Sequence, residues 1–251
     1  MNRKLQTFKY VFADLLASVI AWSLFFAYRK FVYEPDLTDI KSVVLTDQRF
    51  YLGLLIIPIA WVLLYLVMGH YKHIYRKSRI RELGQVFAAS FLGVMIIFFG
   101  IIIDDLVKDN RDLYSYVIAL FILHFFITAT FRLILTTITV HKVHSRQIGF
   151  NTLIVGGNGR ATELFLEMQN EFVSSGNKFI GFVHVNENQK YMLSDHLPHF
   201  GYYKDAPEII SEYKIEEAII AIDPNEHKSV DSIITTLEQS GVIIKVIPDM
   251  H

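Results

Sequence analysis

Long apolar runs dominate the first 140 residues and then stop. Four of them, over roughly 10–31, 50–68, 86–103 and 113–135, approach the about 20 helical residues that a bilayer crossing takes. Pro58 falls in the middle of the second and is expected to kink it. Within the fourth run His124, Thr128, Arg132 and Thr136 recur every four residues, which places them in one stripe along one helix face. Polar groups at membrane depth turn toward other helices or water. Asp14 is the other charge inside a span, at a depth that matches Arg132 when both lie near the same membrane face. The two are expected to pair and pin the first helix to the fourth, as a structural ion pair rather than a transport relay. The alternative for Arg132 is to reach out to lipid phosphate.

After residue 150 the period shortens. Residues 151–155 form a short apolar run, Gly156, Gly157 and Gly159 follow, and a helical pattern begins at Ala161. Further apolar strands are expected at 179–185, 199–202, 217–222 and 242–248. Helices are expected to about 173 and over 206–213 and 227–239, with Asp223-Pro224 stopping a strand and Gly241 closing the last helix. Alternating strand and helix argues a parallel sheet covered on both faces. The organisation is therefore a membrane domain over 1–140, a linker over 141–150 and an α/β domain over 151–251.

Charge orients the spans. Lys and Arg crowd the N-terminus (Arg3, Lys4, Lys9), the second loop (Lys72, Arg76, Lys77, Arg79, Arg81) and the exit from the fourth span (Lys142, Arg146). The third loop, 104–112, is rich in aspartate. The positive-inside rule then puts both termini, and everything after residue 140, in the cytoplasm. Net charge is −1, which gives no electrostatic ground for nucleic-acid binding. A hydrophobic content of 52% favours a lipid bilayer as the first partner. There is no cysteine, which excludes disulfides, a thiolate nucleophile and a Cys-based zinc site.

The candidate binding residues are Gly156, Gly157, Asn158, Gly159 and Arg160. A strand, a glycine turn and a helix aim free N–H groups at an anion, and a phosphate of a nucleotide or nucleotide-sugar is the natural occupant. The fingerprint is incomplete: Thr162 stands where GxGxxG needs its third glycine, and the acid expected at the end of the second strand is replaced by Asn186, with Glu187 one step late. The other reading is that the glycines only pack helix on sheet. Three His-x-x-His spacings occur, His70/His73, His141/His144 and His196/His199, but no acidic third ligand accompanies them, so no metal site is assigned. The loop over 70–83 interleaves basic and aromatic residues, as an anchor on anionic headgroups would, or as an aid in holding a lipid phosphate. No Tyr-x-x-x-Lys pair, phosphate-loop lysine or nucleophile elbow is present, so no catalytic residue is assigned.

The segments GHYKHIYRKSRIRELGQ (69–85), IIFF with the Asp pair at 104–105, IGFNTLIVGGNGRA (148–161), SSGNKFIGFVHV (174–185) and VIIKVIPDM (242–250) together resemble the polyprenyl glycosylphosphotransferases of Bacteroidetes-type bacteria. The resemblance covers essentially the whole chain and implies four spans followed by a Rossmann-like, CoA-binding-type domain with a parallel sheet. It also implies a bacterial inner-membrane enzyme that transfers a sugar 1-phosphate from a UDP-sugar to undecaprenyl phosphate in exopolysaccharide synthesis. In that family the chemistry lies in a further domain with a re-entrant helix, an Asp-Glu dyad and magnesium. No Asp-Glu dipeptide occurs here, so the chain is expected to be the anchoring and regulatory N-terminal region, possible homodimer included, with magnesium confined to the domain it lacks. The competing readings are the matching region of a membrane-bound nucleotide-sugar dehydratase and a membrane-tethered nucleotide sensor.

Overall fold

The apolar runs of the first half each become one helix, and three of those helices begin or end well outside the runs. In the computed structural model, which describes residues 3–33, 40–72, 74–99, 110–186, 191–222 and 229–247, α1 is Arg3–Tyr33, α2 Ile40–Thr46, α3 Gln48–Val67, α4 Arg79–Ile97 and α5 Asn110–His144. The Asp-rich third loop at 104–109, His73 and the Asp223-Pro224 stop lie outside the described residues. Among the described residues four helices are long and apolar enough to cross a membrane: Lys4–Val32, Gln48–Val67, Arg79–Ile97 and Tyr114–His144.

α4 begins at Arg79, not near residue 86, because Ser78 caps it with extended backbone and a side-chain oxygen that accepts the Arg81 N–H at 3.3 Å. α5 continues through residues 141–144, which were expected in the linker. α2 was not foreseen. It leads into Asp47, whose carboxylate caps α3 by accepting the Arg49 N–H at 2.9 Å and meets Lys30 Nζ at 2.7 Å. Hydrogen bonding to Lys30 is the main cause that holds the Asp47 carboxyl below its ordinary pKa. α3 runs as one helix through Pro58.

The chain divides into two compact units, 1–140 and 141–251. In the first, helices close on each other where a glycine admits a ring. A Cβ on Gly93 of α4 would stand 2.2 Å from the Trp61 ring, and Trp61 in turn stacks on the His124 ring, with centroids 3.5 Å apart and planes 11° from parallel. The N-terminal end of α1 and the C-terminal end of α5 meet through Tyr10 Oη and Thr136 Oγ1 at 2.9 Å and through Gln6 Nε2 donating to Thr139 Oγ1 at 2.8 Å. Many outward positions of these helices are apolar: Phe8, Phe12, Leu55, Ile59, Phe87 and Phe91 are among those exposed.

The second unit holds a five-stranded sheet among its described residues: β1 Phe150–Val155, β2 Asn177–His184, β3 His199–Tyr202, β4 Glu217–Ile220 and β5 Ile243–Val246. All pairings are parallel, in the order β3-β2-β1-β4-β5. One face packs on α6 (Gly159–Asn170) and the turn Met192–Asp195 through Ala161, Phe165 and Leu193. The other packs on α7 (Ala206–Glu212) and α8 (Val230–Glu238) through Ile209, Ile210, Ile233 and Leu237. β1 and β4 are buried at nearly every position because both faces are covered, and are mostly apolar for that reason. The two buried polar positions on them, Thr152 and Glu217, are satisfied across strands: Asn177 Nδ2 donates to Thr152 Oγ1 at 3.0 Å and to Glu217 Oε1 at 2.9 Å, and Lys245 pairs with Glu217.

Candidate functional site

From β1 the strand order runs outward to β2 and β3, then crosses back to β4, so the sheet reverses between β1 and β4. Ligands of open parallel sheets bind at the carboxyl ends of the strands beside such a reversal. The glycine turn stands there, but its three glycines serve different ends. Gly156 has φ +128°, and a Cβ on it would lie 2.0 Å from the Ala221 carbonyl oxygen, so only glycine fits between β1 and the strand that follows the reversal. A Cβ on Gly157 would meet the Phe182 and Tyr191 rings at 2.9 Å each, while its carbonyl accepts the Leu193 N–H at 3.1 Å. Both positions are explained by packing. Gly159 is exposed and opens α6, and a Cβ there would meet nothing within 4 Å.

Asn158 caps α6 with extended backbone and no side-chain hydrogen bond to the first turn. Arg160, half-buried, has an interaction of its own within the chain. The approach that remains to a ligand is past Gly159, where the helix dipole favours an anion. A shallow groove of about 490 Å³ runs from Gly159 along the outer face of α6 between Thr162, Glu163, Leu166 and Met192. Its carboxylates oppose an anion further along the helix, which confines any phosphate to the Gly159 end.

At the end of β2, where a ribose-gripping acid was sought, stands a cluster of rings. His184 Nδ1 lies 2.8 Å from His199 Nε2, and the Tyr191 ring is 4.9 Å from His184 and 4.8 Å from His199. Tyr202 flanks His184 at 5.4 Å, and Tyr191 Oη donates to the Asn186 carbonyl at 3.0 Å. Glu187 lies outside the described residues. Helical spacing couples His199 with His196, but His199 opens a strand. Its partner is therefore chosen by pairing between β2 and β3, while the His196 ring rests near Phe165 at 5.7 Å. No group of three or more His, Cys, Asp or Glu able to hold a metal occurs among the described residues.

The second constellation lies in the helical unit. Arg132 Nε and Nη2 donate to the two carboxylate oxygens of Asp14, each at 2.7 Å, and its Nη1 donates to Glu82 Oε1 at 2.6 Å. Glu82 also meets Lys77 Nζ at 2.8 Å, and Lys77 donates to the His70 carbonyl at 2.6 Å. His70 Nδ1 stands 3.2 Å from Arg132 Nη1, Tyr71 Oη donates to Asp14 Oδ2 at 2.8 Å, and the Tyr65 ring lies beneath the guanidinium at 4.7 Å. Two carboxylates balance two cations, and Asp14, Glu82 and Arg132 are fully buried. Burial, reinforced by Arg132 and Lys77, holds the His70 imidazole down at about 3, so it stays neutral and can accept from Arg132. Burial also lowers Lys77 and, with the Asp14 charge, raises Tyr71. The expected Asp14–Arg132 pair is present, and His70, Lys77 and Glu82, assigned from sequence to a loop on the membrane surface, are part of the same buried cluster.

With both constellations in view, the CoA-binding domain family model matches residues 67–248. The chain belongs to this family. The CoA-binding domain is found in nucleotide-sugar-associated proteins, and here it makes the α/β unit a nucleotide- or sugar-related module. The match opens at the end of α3, so this CoA-binding family member carries His70, Lys77, Glu82 and Arg132 inside the matched region together with the glycine turn, while Asp14 lies outside it. No curated protein matches the chain.

Proposed function

We propose that the chain is the membrane-anchoring and regulatory N-terminal region of a bacterial phosphoglycosyltransferase, one that moves a sugar 1-phosphate from a UDP-sugar to undecaprenyl phosphate. The observation that carries this reading is that one family match runs from the basic loop, through two helices long enough to span a membrane, into the parallel sheet. That union is what the resemblance of the five sequence segments implies. In this reading the four helices lie in the inner membrane with both termini cytoplasmic, the sheet domain binds a nucleotide or nucleotide-sugar weakly past Gly159, and protomers pair. NAD does not serve as a redox partner, because His184 and its ring neighbours stand where the ribose-gripping acid belongs. Magnesium-assisted transfer would need carboxylates such as an adjacent Asp-Glu pair, and no Asp-Glu dipeptide occurs within residues 1–251, so this region is assigned no transfer chemistry.

The test uses the full chain in lipid nanodiscs. Calorimetry with UDP-sugars, CoA compounds and NAD should give weak saturable heat with a UDP-sugar or a CoA compound. With magnesium, undecaprenyl phosphate and a panel of UDP-sugars, the chain alone should release no UMP. Turnover abolished by a point change within residues 151–251 would sink the reading, and the absence of heat with every compound would leave the glycine turn a packing device only.

A further inference from the structure

The buried cluster turns one set of charges of the 69–83 segment inward and leaves another outside. Glu82 is the only acid between residues 69 and 99, and it is spent on Arg132 and Lys77. Lys72, Arg79 and Arg81 are exposed, and no hydrogen bond or ion pair engages their charged heads among the described residues. On α4, Ile80, Leu83, Phe87 and Phe91 are exposed, Ile80 at 86%. At about 100° per residue these four fall in one stripe, with Arg79 on one flank and Arg81 on the other, while Glu82 points to the opposite, buried side. The apolar stripe has the composition of a lipid-facing surface, and the two guanidiniums bracket its first turn.

We infer that Lys72, Arg79 and Arg81 form a binding site for the phosphodiester headgroup of an anionic lipid whose acyl chains lie along Ile80, Leu83 and Phe87. The inference rests on the reading that the four helices cross a membrane. Charge complementarity chooses the occupant. Among the described residues no carboxylate pairs with these three cations, which suits a phosphate, and the adjoining apolar stripe favours one that carries hydrocarbon over a soluble anion. The inward half of the segment keeps the site in shape: Lys77 ties the Glu82 carboxylate to the His70 carbonyl, so the first turn of α4 is held from within, and Arg79 and Arg81 are carried on that turn.

The experiment compares the full chain with Arg79→Gln/Arg81→Gln and with Lys9→Gln, a control that removes an exposed charge from α1. Each is placed in nanodiscs of phosphatidylcholine with a minor share of phosphatidylglycerol, and the lipid retained on release is measured by native mass spectrometry. Wild type and Lys9→Gln should retain phosphatidylglycerol over phosphatidylcholine by on the order of tenfold, and the arginine variant by about onefold. Equal enrichment in all three would show diffuse membrane charge and overturn the site, as would no enrichment in wild type. Inorganic phosphate displacing the phosphatidylglycerol at equal concentration would also overturn it, since the hydrocarbon would then contribute nothing. A separate arm washes pure phosphatidylcholine vesicles with alkali. Release of the chain there would sink the spanning reading itself, whereas retention without anionic preference sinks only the headgroup site.

Discussion

Arg132 grips Asp14 with two parallel hydrogen bonds of 2.7 Å, joining residues 118 positions apart, and neither side chain is exposed. A bidentate guanidinium–carboxylate pair fixes orientation as well as distance, so α1 and α5 are locked in both depth and rotation. Breaking a buried pair by removing one charge costs about 3–5 kcal/mol, because the partner is stranded. Asp14→Asn and Arg132→Gln should therefore each lower the unfolding temperature in detergent, and the double variant should lose much less than their sum. Strict additivity in that cycle would mean that the two residues act independently.

His70 gives the same cluster a pH limit. Its pKa is depressed to about 3 from 6.5, so the unfolded chain binds a proton that the folded chain refuses between those values. Stability is full above pH 6.5 and falls as the pH drops through that window, by at most about 1.4 kcal/mol per unit. Unfolding followed from pH 7.5 to 5 should show this slope in wild type and a flatter one in His70→Gln. Identical slopes in the two would assign the acid sensitivity to other groups.

Much of this was legible from pattern alone, and the exceptions share a cause. Strand periods are short-range, so 199–202 and the strands around the glycine turn were placed within a residue or two, and the Asp14–Arg132 pair followed from matching depth. Lys77 and Glu82 were not legible as buried groups. In a run of five cations, Lys72, Arg76, Lys77, Arg79 and Arg81, each looks like a headgroup anchor, and which one turns inward is decided by Arg132 from a distant helix. The one local signal was the lone acid, Glu82. The His184–His199 contact was hidden because it depends on strand pairing, whereas His196 and His199 share a spacing that matters only on a helix.

The proposed orientation makes a prediction of its own. The start of α1, the 70–77 loop and the last turns of α5's buried stripe come together through Tyr10, His70, Lys77, Thr136 and Thr139, so the three basic segments share one end of the helical unit. If that end is cytoplasmic, reporter fusions after Arg76 and Arg146 should report inside, and fusions after Asp39 and Asp109 outside. A reversed pattern would invert the topology without disturbing the packing.

The glycine turn offers a test in which stability and binding separate. Gly156→Ala forces a side chain into φ +128° and onto the Ala221 carbonyl, so it should cost upwards of about 2 kcal/mol in unfolding measurements on the full chain. Gly159→Leu meets open space in an allowed conformation, and replacing glycine near a helix start should change stability by no more than about 1 kcal/mol. The larger side chain would nonetheless stand over the first N–H groups of α6. Calorimetry should then find that Gly159→Leu weakens whatever nucleotide ligand wild type binds, with its stability within that same margin of about 1 kcal/mol. Wild-type affinity in Gly159→Leu would mean that no ligand approaches past that residue, and that the α6 N-terminus is not where this domain meets phosphate.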